Sequence, residues 1–89
     1  MVRMFFRHDV SDYDSWRKVY DSIDADRASA GVTGHAVYRG TDDGNDVTGW
    51  HDFGTAEQAQ AFAASPLLHD AMKNAGVVGA PQIWFTTPA

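Results

Sequence analysis

Apolar residues recur at steps of three and four positions early in the chain, which is the spacing of one face of an amphipathic α-helix. This apolar stripe consists of Tyr13, Trp16, Val19, Tyr20 and Ile23. Ser11 is placed to cap the N-terminus of the helix, Asp14 stands in the capping-box position, and Gly31 is a typical residue to end it. The pattern therefore predicts one helix between residues 11 and 31.

Segments rich in β-branched and aromatic residues predict strands. They cover residues 2–8, 32–39, 46–53 and 82–86. Residues 40–45 have the sequence Gly-Thr-Asp-Asp-Gly-Asn, which is typical of a turn, so the second and third strands are expected to form a hairpin. Residues 77–81, which contain Gly79 and Pro81, are expected to form a loop before the last strand.

A second helical region precedes that loop and is broken in its middle. Thr55 and Gln58 form a capping-box pair that predicts its start. Ser65 followed by Pro66 predicts a fresh helix N-terminus, because proline is tolerated at the first helical position. Gly76 is expected to end the second part. The apolar side of the first part consists of Ala59, Phe62 and Ala63.

The order of these elements predicts the fold class. Strand, helix, strand, strand, broken helix, strand is the ferredoxin-like βαββαβ pattern, an α+β fold with an antiparallel sheet and both helices on one face. A chain of 89 residues is long enough for one hydrophobic core and not for two, so residues 1–89 are expected to form a single domain.

The face of the sheet that the helices leave open also carries apolar residues. Phe5 alternates with Phe6 on the first strand, and Trp84 alternates with Ile83 on the last, so both faces are apolar. A small domain rarely leaves a large apolar patch in water, which favours a homodimer in which two sheets pack face to face. The alternative is that these are scattered surface aromatics, which are common in monomers.

Charge and composition exclude several classes of function. Seven basic and 12 acidic residues give a net charge of −5, so nucleic acid and anionic membrane surfaces are not expected partners. The chain has no cysteine, which excludes disulfides, thiolate zinc sites and a cysteine nucleophile. No apolar run approaches the roughly 18 residues of a membrane span, and we expect a cytoplasmic protein.

The histidines offer the most reactive side chains. They are His8, His35, His51 and His69, each on a different predicted element. No pair has the short spacing of metal ligands, so any metal site would have to be assembled across strands, and no metal is expected. His51 shares its strand face with Val47 and Phe53, which should pack under the helices. The register of the hairpin decides whether His35 or Gly34 lies opposite His51, and the sequence leaves this open.

A neutral imidazole in an apolar cleft is suited to act as a general base or to bind a ligand. The alternative is that His51 is a core histidine whose ring bonds to a backbone carbonyl. His69 on the last helix faces either the rim of the cleft or solvent. The side chains that we expect to contact a small-molecule substrate are Tyr13, Trp16, His35, Tyr38, Phe62 and Met72.

The element order and three segments resemble one known group of proteins, the dimeric α/β-barrel superfamily. Residues 45–53, Asn-Asp-Val-Thr-Gly-Trp-His-Asp-Phe, resemble its third strand, and residues 61–66, Ala-Phe-Ala-Ala-Ser-Pro, resemble its broken helix. Residues 72–76 complete the resemblance, which is closest to the antibiotic-biosynthesis-monooxygenase-like and polyketide-cyclase-like small proteins. It implies a homodimer whose two sheets form a central barrel, with a pocket between sheet and helices in each subunit.

The resemblance also implies roles for two histidines. The polyketide-cyclase branch places one histidine on the third strand, matched here by His51, and one after the proline of the second helical region, for which His69 is the nearest candidate. His51 and His69 are therefore the candidate catalytic residues. The haem-degrading branch needs an Asn, a Trp and a helical His acting together, and this trio is not matched.

Three hypotheses follow. The first is a cofactor-independent enzyme of the monooxygenase, cyclase or isomerase type, acting on an aromatic or polyketide-like substrate with His51 as general base. The second is a binding protein with the same pocket and no turnover. The third is a structural or stress-type protein whose function is its dimer surface. The sequence leaves open the substrate, the use of oxygen and any exchange of C-terminal strands between subunits.

Overall fold

The computed structural model describes the whole chain, Met1–Ala89, which forms four strands and four helices. In chain order the elements are β1 (Val2–Val10), α1 (Tyr13–Ser22), α2 (Asp24–Ser29), β2 (Val32–Arg39), β3 (Asp46–Phe53), α3 (Ala56–Ala63), α4 (Pro66–Asn74) and β4 (Val77–Thr86). The bounds of β2 and β3 are those that the sequence predicts, and the turn between them is the predicted hairpin. None of the helices has the length and apolar character that a bilayer crossing requires.

One antiparallel sheet holds the strands in the order β2-β3-β1-β4, which confirms the ferredoxin-like α+β fold. Side chains of β1 alternate between the two faces, as the period of a strand requires. The residues of β1 that are buried on the helix side are Val2, Met4, Phe6, His8 and Val10. The central strand of the sheet therefore supplies the floor on which the helices pack.

The core under the helices consists of two hydrophobic clusters. The first lies beneath α1 and consists of Phe6, Val10, Trp16, Tyr20, Val47 and Ala75. The second lies beneath α3 and consists of Val2, Met4, Phe53, Ala59 and Phe62. Both clusters use residues of β1 and β3, so these two strands join the two halves of the core.

The first helical region differs from the prediction at its start. Its N-cap is Asp12 and not Ser11: the Asp12 carboxylate accepts hydrogen bonds from the Ser15 backbone N–H at 3.1 Å and from Ser15 Oγ at 2.7 Å. An aspartate at this position satisfies a free N–H group and places negative charge at the positive end of the helix dipole.

The predicted single helix is in fact two, α1 and α2, which meet at Ile23. Two polar groups compete for backbone carbonyls near the end of α1. Ser22 Oγ donates to the carbonyl of Val19 at 2.6 Å, and the Arg27 guanidinium donates to the carbonyl of Tyr20 at 2.6 Å. Side-chain donors of this kind replace the next turn of helical hydrogen bonds, so the chain bends and brings Arg27 back onto α1.

The last strand is longer than predicted. Residues 77–81 belong to β4, where Val77 and Val78 pair with Val10 and Asp9. The register shifts between Arg7 and Asp9, and a bulge of β4 contains Gly79, whose φ of 74° suits glycine. The loop-forming residues thus produce an irregularity within the strand, and His8 has no pairing partner on β4.

A close contact between two strands shapes the helix side of the sheet. The Phe6 ring lies over Gly49, where an added Cβ would stand 2.6 Å from two ring carbons and from the backbone oxygen of Ala36. No larger residue fits at Gly49 without moving the ring or the backbone.

We expect Gly49→Ala to lower the free energy of unfolding by about 1–3 kcal/mol, because it overpacks the floor of the core. Urea unfolding measures this. Gly34→Ala is the matched control: its Cβ would lie 3.8 Å from the Trp50 ring, an ordinary contact, so its stability should be unchanged or higher by up to about 1 kcal/mol. Equal losses in the two variants would contradict this account of Gly49.

Candidate functional site

A narrow apolar cavity of about 50 Å³ lies between the sheet and helices α1 and α4. Its lining residues are Met4, Phe6, His8, Trp16, Val19, Tyr20, Ile23, His51, Leu68, Ala71, Met72, Ala75, Pro81 and Ile83. Two imidazoles and a phenol thus interrupt a wall that is otherwise almost entirely apolar, which is the usual composition of a small-molecule site.

His51 lies at the centre of this arrangement. The hairpin register places it opposite His35 on β2 and opposite Met4 on β1, which settles the alternative between His35 and Gly34. The His51 side chain lies on the predicted face of the sheet, under the helices, and the residue is 3% exposed. His51 Nε2 lies 3.1 Å from Tyr20 Oη, whereas its Nδ1 is buried without a protein partner.

The hydroxyl of Tyr20 joins two histidines. Tyr20 Oη lies 2.9 Å from His35 Nδ1 as well as 3.1 Å from His51 Nε2. A phenol carries one proton, so Tyr20 donates to one imidazole and accepts from the other. The proton positions on the two rings are therefore linked, because the ring that receives the Tyr20 proton must offer a bare nitrogen.

Arg27 contacts both the ring and the backbone carbonyl of Tyr20. Its guanidinium carbon lies 3.8 Å from the centre of the Tyr20 ring, and its two terminal nitrogens donate to the Tyr20 carbonyl and, at 3.2 Å, to Asp24 Oδ1. Arg27 is buried, and its Nε has no partner. A buried guanidinium this close makes a second positive charge at the site unfavourable.

Electrostatics keep the cavity groups neutral near pH 7. Burial, and after it the positive charge of Arg27, lowers the pKa of His51 from 6.5 to about 3. Burial also raises the pKa of Tyr20 to about 12, so the phenol keeps its proton. The site therefore offers an uncharged donor and acceptor set to whatever enters the cavity.

His8 is a second buried imidazole of the cavity, and neither of its nitrogens has a protein partner. The Phe6 ring contacts both histidines, with ring centres 5.1 Å from His8 and 5.5 Å from His51. His8 also lines an adjoining polar cleft beside the β4 bulge. Burial is the larger effect on His8 and lowers its pKa to about 4. The negative charge of Asp9 opposes this shift but is the smaller effect.

The structure brings several of the sequence-predicted site residues together. Trp16 and Met72 line the cavity, and the ring centre of Phe62 lies 5.4 Å from that of His51. His35 does not line the cavity but contacts the site through Tyr20.

Three other candidates lie outside the cavity. Tyr13 stacks on Trp16 and has the Arg39 guanidinium 3.9 Å from its ring centre. Tyr38 is exposed on β2. His69 is exposed on α4, with Nε2 3.3 Å from the carbonyl oxygen of Ala63.

The sequence placed Tyr20 on the apolar stripe of the first helix without a polar role, and it gave no role to Arg27. Tyr20 has a signal in the sequence, since a phenol on the apolar face of a helix needs a polar partner. Arg27 has none, because its burial follows from the bend at Ile23. No group of three or more metal-ligating side chains is assembled anywhere in the chain.

Comparison with solved structures finds the same fold in other proteins. A candidate antibiotic biosynthesis monooxygenase from Bordetella bronchiseptica has a TM-score of 0.82 and 15% identity over 99% of this chain and 96% of its own. SnoaB, a cofactor-independent oxygenase from Streptomyces nogalater, has a TM-score of 0.81 and 16% identity over 99% of this chain and 92% of its own. A further candidate antibiotic biosynthesis monooxygenase, from Caulobacter crescentus, has a TM-score of 0.78 and 12% identity over 99% and 89%.

These likenesses confirm the resemblance in fold to antibiotic-biosynthesis-monooxygenase-like proteins over nearly the whole chain. No protein-family model and no curated protein sequence matches the chain. At identities of 12–16% the shared fold does not carry activity from one protein to another.

The buried histidines predict a loss of stability in acid. The pKa of His8 is about 4 when folded and near 6.5 when unfolded, so the unfolded chain binds the proton first as the pH falls from about 6.5 to about 4. Above this pH window, neutral His8 makes its full contribution to the free energy of unfolding. It is lost within the window at up to about 1.4 kcal/mol per pH unit.

We therefore expect His8→Phe to flatten the decline of stability between pH 6.5 and pH 4, measured by urea unfolding at several pH values. His69→Gln, which changes an exposed imidazole, should keep the wild-type slope. A His8→Phe slope equal to that of the wild type would show that His8 does not resist protonation in the folded protein.

Proposed function

We propose that this protein is a cofactor-independent enzyme that binds a small, uncharged aromatic or polyketide-like molecule in the cavity and moves a proton with His51. The observation that carries the proposal is the Nδ1 atom of His51, buried in an apolar cavity without a protein partner, on a ring that Tyr20 holds from the other side. A buried polar atom without a partner is costly, and a ligand that bonds to it removes the cost.

The chemistry of the cavity favours an uncharged and flat ligand. Its walls are apolar and aromatic, with the rings of Phe6 and Trp16 among them. The guanidinium of Arg27 is bonded to Tyr20 and Asp24 and does not line the cavity, so it does not contact an anion bound there. Neutral hydroxyl or carbonyl groups match the neutral His51 and His8.

The cavity must widen to receive such a ligand. Its volume of about 50 Å³ is far below the few hundred Å³ of typical ligand sites. The helix best able to move is α4, because none of its residues is buried although Leu68 and Met72 line the cavity. Outward movement of α4 would enlarge the space above His51 without disturbing the sheet.

The proposed step is removal of a proton from the ligand by His51 Nδ1. The bond that breaks is an O–H bond of a phenol or a C–H bond next to a carbonyl, and the bond that forms is Nδ1–H. Oxygenases without cofactors, cyclases and isomerases of aromatic polyketide-like molecules can all begin with this step, since each needs an electron-rich anion of the substrate. Trp16, Phe62 and Met72 would hold the ligand against His51.

A second function, ligand binding without turnover, has one observation in its favour. A pKa of about 3 makes His51 a weak base on its own, and general bases work best with a pKa near the working pH. In a binding protein His51 would serve as a hydrogen-bonding group alone. Turnover of the bound compound by purified protein separates the two functions.

Native mass spectrometry of protein purified from its own organism, repeated under denaturing conditions, should show a small organic adduct that denaturation removes. With that compound as substrate, His51→Gln should lower turnover about 10²- to 10⁴-fold, because glutamine keeps a hydrogen bond to Tyr20 but cannot take a proton. His69→Gln is the matched control and should retain turnover. Unchanged turnover in His51→Gln would overturn the role of His51.

We also propose that the protein is a homodimer formed through the sheet face opposite the helices. Phe5 pairs in register with Trp50 on one side and Trp84 on the other, so the three rings form a row on that face. Trp84 is 44% exposed and stacks on Phe5 with ring centres 5.6 Å apart. An exposed aromatic row of this kind supports a self-complementary interface.

Ion pairs border this aromatic row. The Arg3 guanidinium donates to the Asp52 carboxylate at 2.7 and 2.9 Å and lies 3.8 Å from the Trp50 ring centre. Arg7 makes the same two-bonded contact with Asp46 at 3.0 and 2.8 Å. Both arginines are thus paired within the chain, so neither brings an unpaired positive charge to a second copy.

Trp84→Glu should convert the dimer to a monomer in sedimentation or light-scattering measurements, since it would bury a charge in the interface. Leu67→Glu is the matched control: Leu67 is 42% exposed, close to the 44% of Trp84, but lies on α4 and should leave the dimer intact. Circular dichroism would check that both variants are folded. A wild-type chain that stays monomeric would overturn the dimer proposal.

A further inference from the structure

Four elements place a row of polar side chains between the cavity and the surface. His51 on β3 bonds to Tyr20 on α1 at 3.1 Å, and Tyr20 bonds to His35 on β2 at 2.9 Å. His35 Nε2 in turn lies 3.6 Å from Asp24 Oδ1. The side chains of His35 and Asp24 are 32% and 73% exposed, so the row runs from a buried ring to solvent.

The single proton of Tyr20 allows only two arrangements when both rings are neutral. In the first, His51 Nε2–H donates to Tyr20 Oη, Tyr20 O–H donates to His35 Nδ1, and His35 carries its proton on Nε2. In the second, His35 Nδ1–H donates to Tyr20 Oη, Tyr20 O–H donates to His51 Nε2, and His51 carries its proton on Nδ1. His51 Nδ1 is a proton acceptor in the first arrangement and a donor in the second.

Asp24 selects the first arrangement. An N–H group on His35 Nε2 faces a carboxylate oxygen 3.6 Å away, and the ion–dipole attraction stabilises that tautomer. The bare Nδ1 of His35 then receives the Tyr20 proton. Neutral His35 consequently leaves His51 Nδ1 unprotonated and ready to accept a proton from a ligand.

Protonation of His35 enforces the other orientation of the hydrogen bonds. A doubly protonated His35 can only donate through Nδ1, so Tyr20 Oη must accept from it. Tyr20 O–H must then donate to His51 Nε2, and the neutral His51 carries its proton on Nδ1. The charge on the exposed ring thus fixes the tautomer of the buried ring.

We propose that Tyr20 and His35 are positioning residues that move the positive charge of the reaction away from His51 to the surface. When His51 Nδ1 takes a proton from the ligand, the Nε2 proton passes to Tyr20 Oη and the Tyr20 proton passes to His35 Nδ1. One N–H bond forms on His51 and one on His35, one N–H bond breaks on His51, and Tyr20 exchanges one proton for another. The products are the ligand anion, neutral His51 and cationic His35.

The charged groups around the row favour this outcome. Arg27 lies against Tyr20, and Arg17 lies 5.4 Å from the Tyr20 ring centre, so a cation on His51 would face positive charge. Asp24 faces His35, and Asp21 is paired with Arg17 at 3.0 Å. Asp52, which follows His51, is paired with Arg3 on the opposite face of the sheet. A cation is therefore better placed on His35, beside Asp24 and water.

The transfer of charge also accounts for a weakly basic imidazole at the site. Burial and the charge of Arg27 lower the pKa of His51 to about 3, but in the proposed step His51 releases one proton as it takes another and stays neutral. The use of this row in catalysis rests on the proposed function of His51. The linkage between His35 charge and His51 tautomer does not, and it can be measured without a substrate.

The test is a pH titration of the ¹⁵N-labelled full chain, in which two-bond ¹H–¹⁵N correlations assign the protonated nitrogen of each histidine. As the pH is lowered and His35 becomes charged, His51 should stay neutral while its proton moves from Nε2 to Nδ1. In Tyr20→Phe the tautomer of His51 should no longer follow His35. Tyr38→Phe, which removes an exposed hydroxyl from β2, should behave as the wild type.

His35→Gln gives an independent test on a partly exposed site and covers the case in which Tyr20→Phe does not fold. Glutamine can hydrogen-bond to Tyr20 but cannot become charged, so the His51 tautomer should be constant over the whole titration. A tautomer switch that persists in either variant, or a wild-type His51 whose ring shifts ignore His35, would overturn the proposal.

Failure of this inference and failure of the proposed function are distinguishable. If His51→Gln abolishes turnover while the His51 tautomer ignores His35, then His51 acts as a base without the row. If the tautomers are linked but His51→Gln turns over normally, the linkage exists and the proposed function is wrong.

Discussion

One hydroxyl proton on Tyr20 serves two imidazoles, and the arrangement of the site depends on that constraint. Tyr20 stands on α1 and its partners stand on β2 and β3, so a single group ties the first helix to both strands of the hairpin. The bond between Tyr20 and His51 is buried, and the low local dielectric there strengthens it. The direction of each bond then determines what the next group can do.

The position of Tyr20 depends in turn on the break between α1 and α2. A continuous helix would carry Arg27 along the axis and away from the Tyr20 ring. The bend at Ile23 lets the guanidinium return to the Tyr20 carbonyl and ring, while Asp24 begins α2 beside His35. An irregularity of the backbone thus places a cation against Tyr20 in the middle of the polar row and an anion beside His35 at its exposed end.

Much of the fold could be predicted from the residue pattern. The strand-forming segments on either side of the turn residues predict β2 and β3 to the residue, and the helical stripe identifies the side of α1 that meets the sheet. The prediction failed where a side chain bonds to the backbone. The Asp12 cap and the break at Ile23 involve side chains that bond to the backbone, which the hydrophobic pattern does not record. The start of β4 contains a bulge at Gly79, where the residues predicted as a loop are part of the strand.

The site was predictable only in part, for a related reason. His51 could be placed under the helices because strand alternation assigns its face, but its partner depended on a register that the sequence does not encode locally. Tyr20 belongs to the apolar stripe, where its ring and its hydroxyl have separate roles. Arginine is usually a surface residue, and Arg27 is buried here only because α2 turns back toward α1.

The weak burial of α4 against the sheet has a consequence for ligand affinity. Since none of its residues is buried, the helix can leave the sheet in a fluctuation much smaller than global unfolding. If the proposed ligand binds only the open state, its apparent dissociation constant equals the intrinsic constant divided by the open fraction. Exposed positions on α4, such as Lys73, then tune affinity by changing a population, although they never touch the ligand.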